Sequence, residues 1–220
     1  MPHDLPLVPP VARRMIFVIL PLMYLAGLIG LNVPASAPLF QLLTPLNLVA
    51  SLILLLLFHT DFRLSFWAYC IVAFTVGFLV EVAGVHTGVI FGEYAYGKAL
   101  GFKIAEVPLV IGTNWLMLSY LCGSVINRLS LPLLAKVLLA AGLMTLLDFV
   151  IEPIAIRLDF WQWQAGAIPL QNYLAWYGIS ALLFFLFYKL PFRKENSLAP
   201  LLLVLQFLFF GLNSLIHAFN

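Results

Sequence analysis

Charge is the scarcest thing in this chain. Of its 220 residues only 9% are Asp, Glu, Lys or Arg, whereas 64% are hydrophobic. A soluble domain carries roughly 25% charged residues, so the composition excludes a water-soluble globule and implies an integral membrane protein. Cysteine is nearly absent too. Cys70 and Cys122 both fall in apolar runs, which reads as core packing and not as a disulfide framework. The four histidines, His3, His59, His86 and His217, stand alone. A membrane di-iron oxygenase needs many histidines at three- or four-residue spacing, so no metal site of that kind is expected. A net charge of +2 with no basic block gives no reason to expect nucleic acid. The chain also lacks a Gly-rich phosphate loop and a dinucleotide fingerprint, and its last apolar segment has no lysine to hold a retinal. Asp148-x-x-x-Glu152 is a single acidic pair, whereas magnesium-dependent prenyl transfer uses two. What survives is acid chemistry without a cofactor, on a lipid-soluble molecule.

What is present is oil, in seven pieces. Apolar segments of about 20 residues can cross a bilayer, and they run over approximately 15–31, 39–58, 66–86, 107–127, 132–153, 172–189 and 198–219. The fold class expected is therefore all-α: a polytopic membrane bundle of about seven transmembrane helices, forming one domain over 1–220. Arg13 and Arg14 precede the first apolar run, with no small-residue cleavage site after it, so that run is read as a retained helix. With the N-terminus inside, Arg13, Arg14, Arg63, Arg128, Lys136, Lys189, Arg193 and Lys194 lie on the inner side, against Lys98, Lys103 and Arg157 outside. That asymmetry follows the positive-inside rule.

Two long outer loops stand apart from the rest. They hold six of the nine carboxylates, in the stretches 81–106 and 148–159. The first is rich in Gly and aromatics, the second runs on into Phe160, Trp161 and Trp163, and both loops are too long for plain turns. Irregular backbone at membrane depth survives only when protein buries it or a cavity adjoins it, so these loops are expected to fold back and roof a pocket. Glu81 and Asp148 sit inside hydrophobic runs, where a charged side chain costs at least ~2.5 kcal/mol. A carboxyl group kept from water favours its neutral form, and a neutral carboxyl is an acid. Asp148 and Glu152 are four apart, hence on one helix face. Pro153 follows them and is expected to kink or end the helix. Glu81, Gly84 and Gly88 stack along one face as well.

At these residues the sequence resembles a known family. Glu81-x-x-Gly-x-x-Thr-Gly-x-x-Phe-Gly-x-Tyr-x-Tyr96, then Asp148-x-x-x-Glu-Pro153, Trp161-x-Trp163, Ile168-Pro-x-x-Asn172 and Trp176 are similar to the conserved regions of CruF-type carotenoid hydratases, over roughly residues 60 to 190. The resemblance implies a membrane-bound hydro-lyase that adds water to the terminal double bond of an acyclic carotenoid such as γ-carotene, a lycopene-like chain or a bacterioruberin precursor, and the chemistry of that addition calls for no cofactor. It also implies a prokaryotic plasma membrane, with a polyene, lipid and water as the partners.

Hydrating such an alkene needs a positioned acid, a shell that tolerates a tertiary cation, and one controlled water. Asp148 is the expected general acid, with Glu81 and Glu152 as coupled partners, although the chemistry leaves the order among the three open. His86 or Asn114, with Glu93 and Asp159, are expected to position water or relay protons. Aromatic faces attract cations by roughly 0.5–2 kcal/mol each. Tyr94, Tyr96, Trp115, Trp161, Trp163 and Trp176 are the candidates for that shell, with Asn172, Gly84 and Gly88 as substrate contacts. Two other readings fit the same residues. One is a lipid double-bond isomerase, which loses a proton instead of adding water. The other is a proton-coupled carrier or lipid-binding protein, which would more often show two related halves.

Overall fold

In the computed structural model residues 8–218 are described, so His3 and the last residue of the 198–219 span lie outside the description. Helices α1 (Pro10–Asn32), α2 (Ala37–Leu57) and α3 (Leu64–Thr87) come first. The first long loop carries β1 (Tyr94–Tyr96), β2 (Lys103–Ile104) and β3 (Val107–Pro108). Then come α4 (Val110–Ile126), α5 (Leu133–Arg157), β4 (Trp161–Trp163), α6 (Leu170–Lys189) and α7 (Ala199–Ala218). The seven helices match the seven apolar segments, and the protein is a helical membrane bundle. Proline marks several starts: Pro10 opens α1, and Pro132 and Pro169 cap α5 and α6. That is where a missing N–H costs nothing.

Among the described residues six helices are long and apolar enough to cross a membrane. The exception is α4, at 17 residues, because Val107 and Pro108 at the start of its apolar run pair with β2 instead of extending the helix. It is the most enclosed helix, with α2, α3, α5, α6 and α7 all packed on it. Gly77 of α3 allows the closest of these approaches: a Cβ there would sit 2.2 Å from that of Trp115 on α4. A second departure concerns Pro153. The helix neither ends nor starts afresh there but runs on to Arg157, because Ile154 and Ala155 are buried in the core and that packing outweighs one lost hydrogen bond.

The ends of the bundle differ. At the end assigned to the inside, the loops are tied by Arg63 to Asp61 at 2.7 Å, the Arg193 backbone N–H to Asp61 at 2.8 Å and Arg128 to the Asn196 carbonyl at 3.0 Å. At the other end the two long loops meet. β1 and β4 form an antiparallel ribbon with Tyr94 opposite Trp163, Ala95 opposite Gln162 and Tyr96 opposite Trp161. Side chains alternate across a strand, so Ala95 and Gln162 face out while the four aromatics face the bundle.

Candidate active site

Beneath the ribbon lies a chamber built from three carboxylates. Glu81 comes from α3, and Asp148 and Glu152 from successive turns of α5; all three are at most 4% exposed. The ribbon's aromatics reach down to two of them. Tyr94 and Tyr96 both donate to Glu81 Oε2, the latter at 2.8 Å, and Trp115 Nε1 of α4 donates to Oε1 at 2.9 Å. Trp161 and Trp163 each donate an indole N–H to Glu152 Oε2 at 3.0 Å. One strand thus holds the α3 carboxylate and its partner strand holds the α5 carboxylate. Burial, reinforced by the charge of Glu81, pushes the Tyr94 and Tyr96 phenols far above their ordinary range, so both remain protonated donors.

Asp148 is held differently. It accepts a hydrogen bond on Oδ2 from Asn172 Nδ2 of α6 at 3.1 Å, and the same amide nitrogen lies 3.3 Å from Glu152 Oε1. Asn172 therefore links the pair. Indole nitrogens can only donate, so Glu152 Oε2 is fixed as an acceptor and cannot carry a proton towards them. Asp148 is the carboxyl of the three with the fewest donors on it. Trp115 and Trp176 stack across the chamber wall, with centroids 4.3 Å apart and planes 17° apart.

The chamber has a volume of about 20 Å³, and a cavity needs roughly 10–15 Å³ to hold one water. Next to it runs a far larger cleft of about 360 Å³, formed largely by apolar side chains of α1, α2 and α7. Ile111, Asn114 and Trp161 line both spaces. The site therefore has a polar end sized for water and an oily end sized for hydrocarbon, meeting at three residues. Among the described residues no three His, Cys, Asp or Glu side chains are placed to hold one metal ion.

The structure brings together Glu81, Tyr94, Tyr96, Asn114, Trp115, Asp148, Glu152, Trp161, Trp163, Asn172 and Trp176. It leaves five expected residues out. His86 is exposed and bonds the Val82 carbonyl of its own helix at 2.9 Å. It lies five positions beyond Glu81, which turns it roughly 140° from that side chain. Glu93 is exposed, because the alternation that turns Tyr94 inward turns its neighbour outward. Asp159 is also exposed and receives the Lys98 backbone N–H at 3.1 Å, so it pins the corner of the roof. Gly84 and Gly88 make room for the protein's own loop, not for a ligand. A Cβ on Gly84 would lie 2.5 Å from the Phe91 ring, and Gly88 has φ 64 as the left-handed end of α3. Sequence reasoning missed Phe91 and Ile111, which line the chamber. Phe91 stood in the motif and could have been found; Ile111 looks like any other core isoleucine.

Comparison with known proteins bears on the same stretch. A family model described as "Carotenoid biosynthesis protein" matches residues 40–220. The chain is 28% identical over 140 residues to a bisanhydrobacterioruberin hydratase of Haloarcula japonica, an alignment that covers 56% of this chain and 46% of that relative. The chain thus spans less than half the length of that curated relative. No solved structure matches.

Proposed function

Because the chain belongs to the carotenoid biosynthesis protein family, we propose that it hydrates the terminal double bond of an acyclic carotenoid. The observation that carries this reading is the junction of Ile111, Asn114 and Trp161, where an oily cleft meets a carboxylate chamber with room for one water. A hydratase must deliver a proton and a water to the same alkene while keeping bulk water away from the rest of it.

The chemistry follows from the donors. Asp148 gives its proton to the less substituted carbon of the alkene, leaving a tertiary cation on the other. The aromatic faces of Trp161, Trp115 and Trp176 stabilise that cation. Water in the chamber attacks it with an oxygen lone pair, and the surplus proton passes to Glu152. Asn172 keeps Glu152 and Asp148 within reach of each other, so the proton returns to Asp148 and the cycle closes. The sum is alkene plus water to tertiary alcohol, with no redox step. Asn114, which lines both spaces, orients the water. Glu81, with three donors on its oxygens, holds the roof shut and keeps the negative field that favours the cation.

The test is expression in a bacterium that makes an acyclic carotenoid, with pigments read by mass spectrometry. Growth in heavy-oxygen water should label the new hydroxyl. A pigment of unchanged mass with a displaced double bond would replace hydration by isomerisation. A hydroxyl labelled from O2 would refute both.

A further inference from the structure

The larger cleft has no role in proton chemistry, and its shape says what it takes. Its walls run on α1 from Met23 to Leu31 and on α2 from Phe40 to Ala50. At 1.5 Å per residue these stretches are ~12 Å and ~15 Å long, about half of a hydrocarbon core ~30 Å thick. Its upper end is the junction with the chamber. Its lower end is closed where three helices are tied together: Gln206 of α7 donates to the Tyr24 hydroxyl of α1 at 2.8 Å, and that hydroxyl lies 3.2 Å from Ser51 of α2. These polar groups satisfy one another, so the floor makes no demand for a polar ligand. The side is open: Leu46 lines the cleft and is 64% exposed, which in a bilayer means exposed to lipid.

We infer that this cleft binds the unreacting isoprenoid chain of the substrate, from the end group to about the middle of the molecule, and releases the remainder sideways into lipid past Leu46. The enzyme then measures half a chain. The occupant is argued from adjacency, because the cleft and the carboxylate chamber share Ile111, Asn114 and Trp161 as walls and the cleft otherwise presents mainly hydrocarbon. Selectivity for the chain belongs in good part to α1, which lies outside the residues matched by the family model and forms one wall. The inference rests on the hydration reading for its chemistry, but binding in the cleft stands independently of it.

The experiment uses the full chain in detergent micelles, with acyclic isoprenoid hydrocarbons that share one isopropylidene end and differ in length. Wild-type kcat/KM should climb with length until the chain reaches ~15 Å, the rise of ten helical residues, and then stay flat. Ala50→Phe, and separately Ala26→Phe on the facing wall, should each lower the long-to-short ratio of kcat/KM at least tenfold. Binding is read in parallel, without turnover, by the quenching of tryptophan emission by a long polyene; each variant should weaken it at least tenfold. A wild-type rate that keeps climbing to full length, or variants whose ratio and quenching match wild type, would overturn the inference. Quenching that the variants abolish, in a wild-type protein that hydrates nothing, would sink the hydration reading and leave the cleft as a polyene site.

Discussion

The Asn172 carboxamide reaches from α6 to Asp148 on α5, with Nδ2 3.1 Å from Oδ2. That contact sets Asp148 apart from Glu81 and Glu152, each of which has three donors directed at it. The difference in donors, one on Asp148 against three on each of the others, leads directly to mutational expectations.

Asp148→Asn keeps the shape of the side chain and removes its proton chemistry. Hydration should fall by about 10²–10⁴-fold, the usual worth of a positioned acid or base, with protein level and melting temperature near wild type. Pigment mass spectrometry beside a blot for the protein decides it. Wild-type product from this variant would move the acid elsewhere.

Trp161→Phe and Trp163→Phe each take one indole N–H from Glu152 Oε2. Losing a donor to a buried carboxylate costs about 1–3 kcal/mol. Both variants should melt earlier in detergent and lose turnover. Each should also be strongly non-additive with Glu152→Gln, because all three substitutions act on one contact. Additive losses would show that the tryptophans act apart from Glu152.

Gly84→Ala tests the roof. The new methyl would lie 2.5 Å from Phe91 and 3.2 Å from the Tyr94 hydroxyl, so the loop must lift. Overpacking of this kind costs about 1–3 kcal/mol, and the lift withdraws Tyr94 from Glu81. The expected result is a lower melting temperature together with lost hydration. A variant that binds polyene better than wild type would instead return Gly84 to the substrate.

Lys194 makes a prediction at the other end of the molecule. Its ammonium donates to the Leu190 and Phe192 carbonyls at 2.6 and 2.7 Å, and lies 3.0 Å from the centroid of the Phe192 ring. Burial there pushes the amine down from 10.5 to about 7, against the upward pull of Asp61 and Glu195. Between those values the unfolded chain holds a proton that the native chain does not, so stability rises with pH across the window and is lost as pH falls towards 7. Melting curves across that range should show the rise, and Lys194→Met should flatten it. A slope that persists in Lys194→Met would assign it to another group.

How much was legible beforehand depends on the range of the interaction. Hydropathy and helical spacing located seven segments, and α5 carries Asp148 and Glu152 side by side because residues four apart share a face. Loop composition foretold a roof, since acids and aromatics at that depth need burial. The same local reasoning misplaced His86, Glu93 and Asp159, because polarity near a site does not say which way a side chain turns.

Sequence alone determined the elements of this protein: apolar runs of bilayer length, acids set within two of them, and long aromatic loops that need burial. Only the tertiary structure decided the register of Tyr94 against Trp163, the link from Asn172 to both α5 carboxylates, and the cleft between α1, α2 and α7 that meets the chamber at Asn114. Periodicity is written in neighbouring residues and can be read from them. Pairing across long loops and the space left between packed helices depend on contacts between residues far apart in the chain, and no local pattern records those.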